Sequence, residues 1–315
     1  KITEVCQNGD NLANCIIALS DGSESIATNI YHHNGILENG INDGSYRYAG
    51  PSSIVNNFVC FGSDVSPCPE DNLYRIIGVI DGKVKLIKYD YATSTLLGTD
   101  GDYYCSSTPS STYKGNQSLV DRYYWNYKND TTINSGRGSN TWSTSLLNKT
   151  NLNTNFINNI GSTWANKIAT TTWQVGGNTY AKIGEVVPST AYQNEIVNSV
   201  TINTTDGAKE YKAKIGLMYV SDYGFSASPS LWALTMVNYN NSTATSNNWL
   251  YMGYYDWTTS RRSDHSSSAF TVVGSGTVTG SGTDGCYGVR PSFNLESTIT
   301  YASGIGSMND PIIIN

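Results

Sequence analysis

The chain has 315 residues, only 14% of them charged, a net charge of −6, and no run near the ~18 apolar residues that cross a membrane. Its length allows a sizeable core, and 11% aromatic residues exclude a disordered chain. The acidic balance excludes nucleic acid and anionic membrane surfaces as partners, and the Tyr, Ser, Gly and Asn that replace charge are residues of a recognition surface. Lys1 in place of an initiator Met fits a chain whose leader or anchor has been removed.

Cys6 and Cys15 bracket one short turn-rich loop, and Cys60 and Cys68 bracket another; each pair is expected to close as a disulfide. Cys105 and Cys286 are left either to pair or to stay free. No Cys-x-x-Cys occurs, and His32, His33 and His265 lack zinc-ligand spacing, so no metal and no cofactor is expected. An exported, oxidised protein fits the cysteines better than a metal site does.

In chain order, DNLANCIIAL (Asp10 to Leu19) reads as a capped short helix. LYRIIGVIDGKVKLIKYDY (Leu73 to Tyr91) reads as a hairpin whose Asp81-Gly82 turn suits positive φ, with Lys83, Lys85 and Lys88 on a solvated face. Asp100 and Asp102 read as a turn rather than a calcium loop. Short helices are expected over Ser118 to Tyr127, over Ser143 to Asn159 with a stop at Gly161, and over Ala191 to Asn198. Beyond about Ala208, the segments AKIGLMYVSDYG, NWLYMGYYDW, SAFTVVG, GVRPSFNL and DPIIIN read as strands. Together these elements predict an α+β fold with a central antiparallel hairpin or sheet and long loops. Residues 1–50 form an N-terminal extension with a short helix, followed by a single domain over residues 51–315.

Catalytic signatures are poor. Gly280-Ser-Gly282-Thr-Asp-Gly285 matches a dinucleotide fingerprint literally, but CYGVRPSF follows where a helix should open. Ser263, Asp264 and His265 are too close in sequence to make triad geometry. Arg261 and Arg290 read as structural anchors. Ser263 to Tyr287, SDHSSSAFTVVGSGTVTGSGTDGCY, contains no Lys, Glu, Gln, Met or Trp. Asn is absent from Trp249 to Phe293. Composition alone favours an ordinary flexible loop between strands over a surface that offers adaptable hydrogen bonds.

The strings NNFVCFGSDVSPC, DNLYRIIGVIDGKVKLIKYDY, STWANKIATTTW, AKIGLMYVSDYG, NWLYMGYYDWTTSR and GVRPSFNL, from about Asp43 to the end, resemble a family of surface proteins of gut Firmicutes and their phages. More distantly they resemble the C-type lectin fold in its formylglycine-generating-enzyme-like form, where W-x-x-S-R, a variable insertion and G-V-R-P follow one another. Similar proteins are targets of diversity-generating retroelements, which rewrite adenines in a C-terminal variable region. Randomised Asn codons ending in a pyrimidine cannot yield the five residue types missing here, so Cys286 itself could be a product of diversification. The resemblance implies a C-type-lectin-like ligand-binding domain over 51–315 with a variable region about 254–287. Trp257, Ser260, Arg261, Ala269, Phe270, Gly276, Val278 and the GVRP residues would be scaffold. Exposed substitutable positions would be Asp264, His265, Ser266, Ser267, Thr271, Val273, Ser275, Thr277, Thr279, Ser281, Thr283, Asp284 and Tyr287.

The expected function is an exported, non-enzymatic receptor or adhesin, cell-surface or virion-exposed. Tyr254, Tyr255, Asp256 and the positions above would contact an unknown protein or glycan ligand on a cell or phage surface. The calcium-binding triplets E-P-N and Q-P-D are absent. Two alternatives stand beside this: a formylglycine-generating-type enzyme or other hydrolase, and a structural pilus or virion subunit.

Overall fold

A computed structural model describes residues 1–20, 28–100, 103–109, 112–126, 137–198 and 208–315. Asp102, considered above for calcium, lies outside them. Strands run in chain order as β1 (Ile30–Asn34), β2 (Asn42–Tyr48), β3 (Phe58–Cys60), β4 (Leu73–Ile80), β5 (Lys83–Lys88), β6 (Tyr104–Thr108) and β7 (Val120–Tyr123). They continue as β8 (Thr171–Gln174), β9 (Gly177–Asn178), β10 (Glu210–Ala213), β11 (Ile215–Gly216), β12 (Asp256–Arg262), β13 (Ser268–Val272), β14 (Val278–Gly282) and β15 (Ser292–Asn294). The fold is α+β, dominated by sheets with a few short helices between them.

The main sheet has the order β1-β2-β4-β5-β15-β11, with β3 also pairing β4, and every pairing in it is antiparallel. Its centre is the hairpin β4–β5. Asp81 (φ 49) and Gly82 (φ 70) both adopt the left-handed conformation of a two-residue turn that matches strand twist. The expected N-terminal extension is built into this sheet: β1 and β2 pair with one another and β2 pairs with β4. The helix Leu12–Leu19, capped by the Asn11 side chain rather than by Asp10, adds Leu12, Cys15 and Ile16 to the main core.

The lysines of β5 correct the sequence reading. Lys85 and Lys88 are buried, not solvated, because β5 is a central strand covered on both faces, so alternation carries no inside–outside information there. Lys88 reaches the Asp71 carboxylate at 2.8 Å, and Lys85 that of Asp222 at 2.6 Å. Over the described residues 118–126 the expected helix is absent: Val120–Tyr123 pairs with β6, which suits its β-branched and aromatic side chains, and Tyr127 lies outside the described residues. AKIGLMYVSDYG is strand only at Ala213, the end of β10, and at Ile215–Gly216; Val220–Phe225 is a helix whose first turn is closed by Asp222 accepting from the Tyr219 N–H. NWLYMGYYDW enters a strand only at Asp256. The helical segment Leu147–Ile160, wide-turned over its first ten residues, ends at Gly161, which has φ 81.

Three disulfides are present: Cys6–Cys15, Cys60–Cys68 and Cys105–Cys286. The third settles the pair left open by spacing and ties β6 to the loop after β14. Among the described residues no helix is long and apolar enough to cross a membrane.

Candidate functional site

The second sheet has the order β14-β13-β12-β9 and carries the Ser/Gly/Thr-rich segment. Its base is bonded from beneath. Trp257 and Trp125 are fully buried; their indole N–H groups donate to the carbonyls of Tyr123 (2.8 Å) and Thr258 (3.0 Å). Arg261 is buried and donates to the carbonyls of Ala208 (2.6 Å) and Asn140 (3.3 Å), a structural role. Arg290 is buried against Asp256 (2.6 Å) and the Leu250 carbonyl (2.8 Å), anchoring its loop. β9 approaches β12 so closely that a Cβ at Gly177 would overlap the Arg261 carbonyl.

The loop between β12 and β13 is held the same way. The buried Asn140 amide lies 2.8–2.9 Å from the carbonyls of Arg262, His265 and Ser268, and its backbone N–H donates to Ser266 at 2.7 Å. Buried amide N–H donors of this kind fix a loop that its own sequence would leave free.

Exposure divides the segment in two. Trp257, Ser260, Arg261, Ala269, Phe270, Gly276, Val278 and Gly288 to Pro291 are buried. Asp264, His265, Ser266, Val273, Ser275, Thr277, Thr279, Ser281, Asp284 and Tyr287 reach solvent. Four residues expected at the contact surface are instead interior, which corrects that expectation. Thr271 donates its hydroxyl to the Asp256 carbonyl (2.8 Å), Thr283 to the Gly138 carbonyl (2.6 Å), Ser267 is buried beside His265, and Asp256 is the partner of Arg290. Thr271 lies in β13, flanked by β14 and β12, and Thr283 follows the end of the edge strand β14.

The exposed side chains form a strip. Tyr254 packs edge-on to Tyr255 (5.9 Å between centroids), and Tyr255 stacks on Tyr287 at 4.8 Å and 12°. The Tyr287 hydroxyl is 2.8 Å from that of Ser281, and Thr279 lies two residues away on the same side of β14. Thr279 in turn meets the Tyr180 hydroxyl at 3.4 Å, and Tyr180 carries the Arg262 guanidinium over its ring at 4.7 Å. Arg262 grips both oxygens of Asp264 at 2.9 Å, which holds that carboxyl below its ordinary value. Tyr180 and Arg262 were not singled out from the sequence: Tyr180 stands some 80 residues upstream, and only the β9–β12 pairing brings it to the strip.

A concave feature lies elsewhere, a cavity of about 460 Å³ between the β4–β5 hairpin, β2 and β8. On its floor Arg47 bridges Asp43 (3.1 Å) and Asp222 (3.0 Å), while Lys85 bonds the other oxygen of Asp222. The Lys85 ammonium also sits over the rings of Tyr219 (4.7 Å) and Trp173 (5.3 Å). Behind it Glu195, fully buried, accepts from Ser260 (2.6 Å) and Ser221 (2.8 Å), and burial pushes its carboxyl up to about 7.

Among the described residues only Cys6, Asp10 and Cys15 cluster as metal donors do, and both cysteines are spent in a disulfide. Comparison of the chain with protein-family models, with curated proteins and with solved structures finds no match.

Proposed function

We propose that this chain is an exported receptor or adhesin that presents a diversified C-terminal face on a C-type-lectin-like scaffold. The observation that carries this reading is the sorting of the segment 263–287 into a bonded, buried frame and ten side chains that reach solvent. Small hydroxyl residues beside Tyr254, Tyr255 and Tyr287 join adaptable hydrogen bonds to rigid aromatic area, the combination that recognition surfaces use. A frame held by Asn140, Arg261 and Arg290 lets the exposed residues change without loss of folding. The W-x-x-S-R motif lies in β12 and G-V-R-P leads into β15, consistent with the lectin-like arrangement the sequence resembles. The three disulfides support export.

The gene tests the diversification. Across isolates, codons of the ten exposed positions should differ at sites of adenine in a nearby template repeat, while those of Thr271, Thr283 and the frame stay constant. Invariance of the exposed codons, or variation spread equally over the frame, overturns it. For the binding face, Tyr255→Ala and Tyr287→Ala should abolish capture of the labelled chain on an array of glycans and bacterial surface proteins at unchanged melting temperature. Unchanged capture overturns the assignment.

A further inference from the structure

We propose that the cavity beside the β4–β5 hairpin is a second binding site, separate from the exposed strip, for a small neutral polyol of the monosaccharide class. It goes beyond the reading above: none of the strip residues lines the cavity.

Charge sets the first limit on the ligand. The floor holds two cations, Arg47 and Lys85, and two anions, Asp43 and Asp222, and the lining adds one more of each sign, Lys83 and Asp81. The floor is balanced in charge, so a free anion gains no net attraction there and would lie beside the Asp43 and Asp222 carboxylates. A cation would meet the Lys85 ammonium and the Arg47 guanidinium with their carboxylates already engaged. A neutral molecule faces neither cost.

Hydrogen-bonding capacity sets the second. Arg47 has five N–H donors, with Ser45, Asp43 and Asp222 as partners, and Lys85 has three, with Asp222 as partner. Asp43 adds carboxylate oxygens, and the Thr170 and Thr172 hydroxyls stand exposed at the mouth. A ligand whose groups both donate and accept, as hydroxyls do, can use donors and acceptors set side by side.

The walls set the third. Trp173, Tyr219, Tyr192 and Ile196 add apolar wall beside these charges, so a ligand that joins C–H surface to hydroxyls, as a pyranose ring does, can use both. Folding alone does not account for the arrangement. Buried ion networks are commonly no more stabilising than apolar residues of equal volume, so one maintained around an open cavity points to use.

The test is saturation-transfer NMR on the full chain with glucose, galactose and N-acetylglucosamine, and with glycine, inorganic phosphate and choline as zwitterionic, anionic and cationic comparators. At least one neutral sugar should give a signal that persists at high salt. Thr170→Trp, which plugs the mouth without touching the floor, should abolish it. Asp43→Asn should weaken binding about tenfold by removing a charged acceptor. No signal from any sugar, an unchanged signal in Thr170→Trp, or preferential binding of phosphate, choline or glycine would each overturn the proposal. Unaltered circular dichroism of Thr170→Trp ensures that a lost signal reports the cavity.

Discussion

The strip on β12–β14 and the cavity beside β4–β5 solve opposite problems. Along the strip, most side chains that reach solvent are small or aromatic and bond hydroxyl to hydroxyl, Ser281 to Tyr287 and Thr279 to Tyr180, beside one ion pair of Arg262 with Asp264. In the cavity, charges are dense, and the buried cations Arg47 and Lys85 both bond Asp222, on an element distant in sequence. The difference teaches where substitution is tolerated. Removing a strip side chain changes what the surface offers, whereas removing a cavity charge strands its partner in the interior.

Substitution can break that contrast. The largest effect should come from Asp222→Ala, which strands the buried Lys85 ammonium and leaves Arg47 with Asp43 alone, and should cost about 3–5 kcal/mol in urea unfolding. A loss below about 1 kcal/mol would mean that the cavity charges are solvated in solution.

Next in size is pH. Glu195 rises from an ordinary 4.5 to about 7 through burial, and Asp256 from 3.8 to about 6 through burial against the pull of Arg290. Both folded values lie above the unfolded ones, so the folded chain holds protons that the unfolded chain releases. The stability they contribute is complete below about pH 4 and is lost as pH rises through 6 and 7. From Glu195 alone the loss is on the order of 3 kcal/mol, and Glu195→Gln should remove that part of the slope. A wild-type stability that instead climbs from pH 5 to 8, with the same slope in Glu195→Gln, would contradict the buried carboxyl.

Within the Ser/Thr segment the contrast sharpens. Thr271→Val keeps the shape but removes the bond to the Asp256 carbonyl and should cost about 1 kcal/mol. The smallest effect is expected at Ser275, Thr279 and Ser281, where alanine should leave stability within about 0.5 kcal/mol. Equal losses at Thr271 and Ser281 would erase the division between frame and face.

Much of the frame was legible locally. The Asp81-Gly82 hairpin, the helix near Leu12–Leu19, the stop at Gly161 and the two short disulfide loops each rest on a few adjacent residues, and each is present. The unusual composition of Ser263 to Tyr287 also marked a segment that forms much of one face. Thr271 and Thr283 were not separable from Thr279 by type, since the three share one side chain and differ only in what lies above it.

What the amino-acid order determined by itself is the set of short-range choices: turn handedness, helix stops, β-propensity, the nearby cysteine pairs and a charge-poor, hydroxyl-rich C-terminal segment. Tertiary structure alone decided that Lys85 and Arg47 are interior, that Tyr180 joins Arg262, and that Glu195 lies beneath Ser260. The reason is range. Turn and helix energies depend on neighbours a few residues away, whereas burial and ion pairing depend on which strands become central, and that is fixed only when β2, β5 and the helix Val220–Phe225 pack together.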